Sequence, residues 1–321
     1  MTTFNFAELT PDLILDALGS VDIGVESGLL ALNSYENRVY QFIARDHKRY
    51  VVKFYRPQRW SKAQLLEEHS FSLELADHKI PVVPPMVIKG QSLHRYQDYY
   101  FALFLSVGGR QFEVDNLQHL EWMGRFIGHI HLIGKSGEFI YRPVMSTDEY
   151  LHQSALELRA SRLIPSGLRK PFFTLLEQVI ALTEARYHNN SNIRLHGDCH
   201  PGNILWRDGP TFVDLDDCRS GPAVQDLWMM LSGDYQQQSL QMRILVKAYQ
   251  EFCDFDTHQL SLIEPLRAMR MVHYMAWLNR RWQDPAFPQA FPWFADERYW
   301  QQQILSLKEQ LSALQTPKLH I

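Results

Sequence analysis

Three cysteines in 321 residues, Cys199, Cys218 and Cys253, make neither an even disulfide framework nor the paired spacing of a zinc site. The simplest reading is a chain that works in a reducing compartment. There is no run of lysines and arginines that could track phosphates, and a formal net charge of −4 with a pI near 6.4 argues against a nucleic-acid footprint. Long apolar runs are missing too: Tyr99 to Leu105 is far too short to cross a bilayer, and the N-terminus lacks a basic segment followed by an apolar stretch. These absences lead us to expect a cytoplasmic monomer with no membrane anchor and no nucleic-acid partner. Hydrophobic residues are plentiful, at 45% with 12% aromatic, enough for two modest domains or one large one.

Periodicity divides the chain near residue 105. Alternating and β-branched segments dominate from Val25 to Tyr55, with a hairpin expected from Arg38–Ala44 and Arg49–Tyr55 around Asp46, His47 and Lys48. Ser61 to Asp77 has a helical pattern behind a Ser61 cap, with Leu65, Leu66, His69, Leu73 and Ala76 on its apolar face. Ile80–Pro85 must be extended, Tyr99–Val107 is a further strand, and Gly108 and Gly109 end it with a joint. Beyond the joint helices take over, at 116–133, 146–160, 167–187, 221–232, 237–253, 260–282 and 296–315, with a proline-punctuated aromatic loop at 284–294. Gly124 and Gly128 would let a second helix approach closely. The expectation is an α+β chain of two lobes: residues 1–105, small and mainly antiparallel β, and residues 106–321, larger and mainly helical.

The most informative stretch is HGDCHPGNILWRDGPTFVDLDD, residues 196–217. Its first part reads H-x-D-x-x-x-x-N, in which Asp198 would accept a hydroxyl proton and Asn203 would ligate a metal. Its second part supplies Asp214, a carboxylate at the place of the Asp in a D-F-G motif. If Asn203–Trp206 and Thr211–Leu215 are strands joined by the four residues Arg207 to Pro210, Trp206 faces Thr211 and Asn203 lies opposite Asp214. Facing Cβ atoms are roughly 4.5–5.5 Å apart. An amide oxygen and a carboxylate at that separation can share a hard cation such as Mg²⁺. Ordinary turn chemistry explains any one of these residues but not the set. A metal triad of His196, Asp198 and His200 is disfavoured because Pro201 and Gly202 break the strand, so His196 is read as a packed histidine that braces the loop.

A base and metal ligands in the helical half call for a phosphate anchor in the sheet half. Lys53, inside the apolar strand YVVKFYRP, is the natural candidate. An exposed-face lysine is the bland alternative. A strand lysine that contacts the α- and β-phosphates needs a helix glutamate to order it, and Glu67 or Glu68 would serve.

Taken together, LNSYENRVYQF, VVKFYRP, SVGGRQFE, IRLHGDCHPGNILWRDGP, FVDLDD, GPAVQDLW and IEPLRAMR resemble, over nearly the whole chain, the kinase-like family of aminoglycoside phosphotransferases and choline kinases, and within it a bacterial Ser/Thr protein kinase branch. The resemblance implies a protein-kinase-like bilobal fold and an ATP- and Mg²⁺-dependent kinase. It implies Asp198 as proton acceptor, Asp214 as a catalytic and metal-binding carboxylate, and Asn203 as the other Mg²⁺ ligand. Lys53 and Ser34 would contact ATP, with Glu68 rather than Glu67 as the partner of Lys53. Asp226 resembles the aspartate that supports the catalytic loop from a helix start. The implied acceptor is a Ser or Thr of a protein, including the chain itself, in a stress response.

Two departures qualify that picture. The phosphate-covering turn Asn33–Tyr40 contains no glycine, so its amides must be presented by Asn33, Ser34 and Tyr35. Only six residues separate Asp214 from Gly221, too few for a phosphorylatable activation loop, which is the pattern of small-molecule kinases. Acceptors such as aminoglycosides, amino alcohols, homoserine or sugars therefore stand as the alternative, and a nucleotide-sensing module is opposed by the intact Asp198, Asn203 and Asp214. Cys199, beside the base, is an inert loop thiol unless its pKa is lowered.

Overall fold

The computed structural model describes residues 6–316, 319 and 321. In chain order it contains α1 (Pro11–Ser20), β1 (Leu30–Ala31), β2 (Arg38–Ile43), β3 (Arg49–Phe54), α2 (Lys62–Asp77), β4 (His94–Tyr96), β5 (Tyr99–Leu105), β6 (Arg110–Gln111) and α3 (Leu117–Gly134). A π-helical turn, Asp148–Gln153, leads into α4 (Ser154–Ala160), then α5 (Ser166–Arg186), β7 (Ile193–Leu195), β8 (Ile204–Trp206), β9 (Pro210–Phe212), β10 (Arg219–Gly221) and α6 (Gln225–Trp228). The chain ends with α7 (Tyr235–Tyr249), α8 (Ile263–Arg281), α9 (Ala286–Ala290) and α10 (Glu297–Gln315).

These elements group into two compact units. The first takes the chain up to Glu113 together with Phe139–Arg142 and His200–Cys218; the second takes Val114–Glu138, Pro143–Cys199 and everything from Arg219 on. This grouping is not a single cut at residue 105: the segment with Asn203 and Asp214 clusters with the N-terminal sheet, because β8 pairs with β6 and β9 while Phe212 bridges to Val82.

In the first unit a five-stranded antiparallel sheet has the order β1-β2-β3-β5-β4. The hairpin register Ile43 to Arg49 matches the expected turn at Asp46–Lys48. Period-two alternation sends Val52 and Phe54 of β3 to one face, where they join Ile14 and Leu18 of α1 and Phe101 of β5 in the core. Lys53, between them, points to the other face, where Tyr55, Leu65 of α2 and Ala102 cluster. Helix α2 begins at a capping box, Ser61 with Gln64. Its buried residues are Leu65, Glu68, His69, Phe71, Ser72 and Leu75, whereas Leu66, expected inside, is exposed.

In the second unit α3 lies against α7 so closely that a Cβ on Gly124 would be 2.4 Å from the Leu245 carbonyl oxygen and one on Gly128 2.5 Å from that of Tyr249. The glycine pair is therefore a packing device. Three expectations fail here: 221–232 is helical only over Gln225–Trp228, 146–160 opens with the π-turn, and the aromatic loop at 284–294 contains α9 and a 3₁₀ turn, Pro292–Ala295.

Candidate active site

Lys53 is held by position before it is held by charge. Its backbone pairs with Val39 on one side and Ala102 on the other, which fixes the side chain on the α2 face of the sheet. There its Nζ meets Asp214 Oδ1 at 2.8 Å, Asp216 Oδ1 at 3.2 Å and Glu68 Oε1 at 3.9 Å. The nearer partners are thus the two aspartates, with Glu68 at the edge of ion-pair range. Burial alone would lower the Lys53 pKa, but Asp214, Asp216 and Glu68 raise it well above the ordinary value. Burial pushes Glu68 up to about 7, although Lys53 pulls against it.

Asp216 is a member that the sequence reading passed over. Its side chain accepts from Asn37 at 3.2 Å and from Arg59, and its carbonyl accepts from Arg142. Burial would raise its pKa, yet Lys53, Arg59 and Arg142 outweigh burial and hold it below the usual carboxylate range. Arg142 also donates to the Cys218 carbonyl at 2.8 Å and stacks 4.1 Å over Trp60, so it clasps both ends of the turn Leu215–Asp217. Arg142 is in turn presented by Glu67, whose carboxylate accepts the amides of Ile140 at 2.5 Å, Tyr141 at 2.9 Å and Arg142 at 2.6 Å. Glu67 is therefore a backbone anchor, and not merely a solvated neighbour of Glu68. The signal for Asp216 was available in Asp214-Leu-Asp216; those for Asn37, Arg59 and Arg142 were not, since their partners are distant in sequence.

The hairpin with the two metal-ligand candidates has a different register from the one expected. Trp206 pairs with Pro210 and Ile204 with Phe212, so Asn203 opposes Val213, whose amide donates to the Asn203 carbonyl at 3.0 Å. The connection has three residues, not four, because Asp208 (φ 58°) and Gly209 (φ 143°) turn the chain tightly enough for Pro210 to enter the ladder. Asp214 then leaves the strand in a left-handed conformation, φ 60° and ψ 67°. Asn203 and Asp214 nevertheless remain neighbours, joined through Val213. Their donors are an amide and a half-exposed carboxylate, all oxygen, which suits a hard cation such as Mg²⁺. Among the described residues no group of three or more His, Cys, Asp or Glu could hold a metal by itself. A cation at Asn203 and Asp214 would therefore complete its shell with phosphate and water oxygens.

Ser34 lies in the glycine-free turn before β2. No residue from Asn33 to Arg38 has a positive φ, which is why the turn does without glycine. Arg56 holds it from beneath, with Nη2 donating to the Tyr35 carbonyl at 3.0 Å and Nε to that of Glu36 at 2.8 Å. A trans peptide points N–H opposite to C=O, so the amides of Glu36 and Asn37 face away from Arg56.

Asp198 belongs to the second unit, and its loop is set from below by Asp226. That buried carboxylate accepts the amides of His196 at 2.8 Å and Gly197 at 2.9 Å, and meets His131 Nε2 at 3.0 Å. At the start of α6, Asp226 thus serves the loop before its own helix. Gln225 adds a bond from Nε2 to the Gly197 carbonyl at 2.9 Å. Arg270 of α8 donates to Asp198 Oδ1, a contact no local pattern announced although Arg270 ends the motif IEPLRAMR. Cys199 is buried, and burial, with Asp226 and Asp198, pushes its thiol well above the usual value, which makes it a poor nucleophile.

The first unit thus carries a buried lysine among carboxylates and an oxygen-donor hairpin, and the second an aspartate on a braced loop. The Phosphotransferase enzyme family matches residues 29–263. The chain belongs to that family. It is 52% identical over 321 residues to stress response kinase A of Escherichia coli (strain K12), covering 100% of this chain and 98% of that protein. It is 51% identical over 319 residues to the serine/threonine protein kinase RdoA of Salmonella typhimurium (strain LT2), covering 99% and 97%. Among solved structures, the microcompartment-associated aminopropanol kinase superposes with a TM-score of 0.70 at 15% identity, covering 94% of this chain and 98% of that one. Amicoumacin kinase hAmiN, solved with AMP-PNP, Ca²⁺ and Ami, superposes with a TM-score of 0.69 at 18% identity, covering 89% and 92%. These two structures share the α+β kinase-like fold with this phosphotransferase.

Proposed function

We propose that this phosphotransferase is an ATP- and Mg²⁺-dependent serine/threonine protein kinase of the bacterial cytoplasm that also phosphorylates itself and serves a stress response. The observation that carries the reading is the ion pair of Lys53 with Asp214, made by a buried strand lysine and a carboxylate tied through Val213 to Asn203. In this reading Lys53 binds the α- and β-phosphates, and Ser34 contacts ATP from the turn that Arg56 holds. Glu68 keeps negative charge behind Lys53 while Asp214 turns to its ligand. Asn203 and Asp214 would hold the magnesium ion, which supplies charge neutralisation on the phosphates. Asp198 accepts the proton of the acceptor hydroxyl as that oxygen attacks phosphorus in line and the bond to ADP breaks. Asp226 fixes the loop from which Asp198 acts.

The protein acceptor is supported by the 51% identity to a serine/threonine protein kinase over nearly full length, and the stress response by the 52% identity to stress response kinase A. A small-molecule acceptor is the second reading, favoured by the short Asp214–Gly221 segment. Transfer from γ-labelled ATP with Mg²⁺, comparing wild type with Asp198→Ala on the protein itself, a generic phosphoacceptor protein and a panel of hydroxylated metabolites, separates them. Acid-stable label on Ser or Thr that the variant loses supports the first reading; variant-sensitive label confined to a metabolite replaces it with the second.

A further inference from the structure

Arg270 sits on α8 and donates Nη1 to Asp198 Oδ1. The Arg270 and Asp198 side chains are 41% and 23% exposed, so the ion pair is partly open to water and exchangeable. Other carboxylates of the second unit have arginine partners of their own: Glu149 pairs with Arg219 at 3.2 Å, Glu157 with Arg280 at 3.0 Å and Glu264 with Arg267 at 3.3 Å. Arg267, one turn before Arg270 on α8, stacks over Trp228. A cationic acceptor approaching Asp198 would meet the Arg270 guanidinium already on that carboxylate.

Resting on the reading of Asp198 as proton acceptor, we infer that Arg270 is the acceptor-recognising residue and that it takes an anionic group beside the acceptor hydroxyl, so that the substrate is an acidic serine/threonine peptide segment. The guanidinium presents five N–H donors in a fixed fork that suits a carboxylate or a phosphate bidentately. In the resting protein Asp198 occupies that fork. An acceptor anion displaces it, which docks the acceptor and frees an Asp198 oxygen at the moment a hydroxyl arrives. Recognition and release of the base are then one exchange of partners, and an acceptor without the anion leaves Asp198 neutralised.

The test uses serine peptides of one length flanked by Asp, by phosphoserine or by Lys, assayed for kcat/KM with wild type, Arg270→Gln and Arg270→Lys. Binding of the same peptides is followed by fluorescence anisotropy, and thermal melts confirm that the variants fold. Wild type is expected to favour acidic over Lys-flanked peptides by roughly tenfold or more. Arg270→Gln brings the ratio toward one, and Arg270→Lys keeps part of it. The Asp and phosphoserine arms show which anion is preferred. A ratio that Arg270→Gln leaves unchanged, or a wild-type preference for Lys flanks, overturns the inference while leaving phosphoryl transfer intact. Absence of transfer to every peptide and to the protein itself removes the protein-kinase reading instead. Anisotropy then decides separately: acidic peptides bound no better by wild type than by Arg270→Gln overturn the inference.

Discussion

At the scale of single residues, Asp216 shows how a buried charge becomes a constraint. It is the carboxylate on which Lys53, Arg59 and Asn37 converge. Removing one partner of a buried ion-pair network strands the others, so Asp216→Ala should cost about 3–5 kcal/mol in denaturant unfolding and lower turnover through a displaced Lys53. Asp198→Ala should behave differently. Its carboxylate lies at the end of the loop without knitting a core, so melting should hardly move while kcat falls roughly 10²- to 10⁴-fold, the contribution of a general base. Lys53→Ala should weaken ATP binding and, by the same stranding of Asp216 and Glu68, lower stability, and ordinary ATP kinetics in that variant would remove Lys53 from the phosphate site. The placement of Lys53 in an apolar strand and of Asn203 and Asp214 beside one tight turn was legible because it depends on local pattern. Asp216 left a local signal in Asp214-Leu-Asp216, but its contact with Asn37 spans 179 positions and that of Arg270 with Asp198 spans 72, and no local pattern announces either pairing.

At the scale of elements, the anchor of Glu67 on three successive amides ties α2 to the short segment that presents Arg142. Glu67→Ala would leave those amides to water and loosen the clasp on the Leu215–Asp217 turn. Hydrogen exchange should show lost protection at Tyr141 and Arg142, with about 1–3 kcal/mol less stability. Retained protection would mean that Arg142 holds itself through Trp60 and the two carbonyls. Helix α2 was legible as a helix because its cap and period are local. Its buried stripe was legible in part: Leu65 and His69 were placed on it, but Glu68 looks like surface until Lys53 is in place, and Leu66 is exposed. The hairpin at Asn203–Asp214 was legible as a hairpin, but its register depended on whether Pro210 belonged to turn or strand. Alternation gives no signal for that choice.

At the scale of the whole molecule, pH stability follows from two groups with opposite signs. Burial, with the Lys53 charge adding to it, lowers His69 from 6.5 to about 3, so the unfolded chain binds a proton that the fold refuses, and this stability is lost as pH falls from 6.5 toward 3. Burial raises Glu68 from 4.5 to about 7, so the fold binds a proton that the unfolded chain has released, and this contribution is lost as pH rises from 4.5 to 7. Between 4.5 and 6.5 the two slopes oppose each other. Denaturant unfolding should therefore vary little with pH there for wild type, whereas Glu68→Gln should expose the His69 slope and show stability rising with pH across the same window. A flat profile in that variant would mean that His69 protonates freely in the fold.

The end of β5 at Leu105 was readable because the alternating pattern stops before Gly108 and Gly109. The recruitment of Phe139–Arg142 and His200–Cys218 into the first unit was not, because it is made by pairing and guanidinium clasps far apart in sequence. That interleaving has a consequence for how the protein is made. On the ribosome the N-terminal sheet emerges early, yet its unit stays short of β8, β9 and the turn clasped by Arg142 until Cys218 has been synthesised. By then most of the second unit's middle segment, through Cys199, is already outside. The first unit is complete only at Cys218 and the second only with the chain from Arg219 on, and no single cut in the gene yields either one whole.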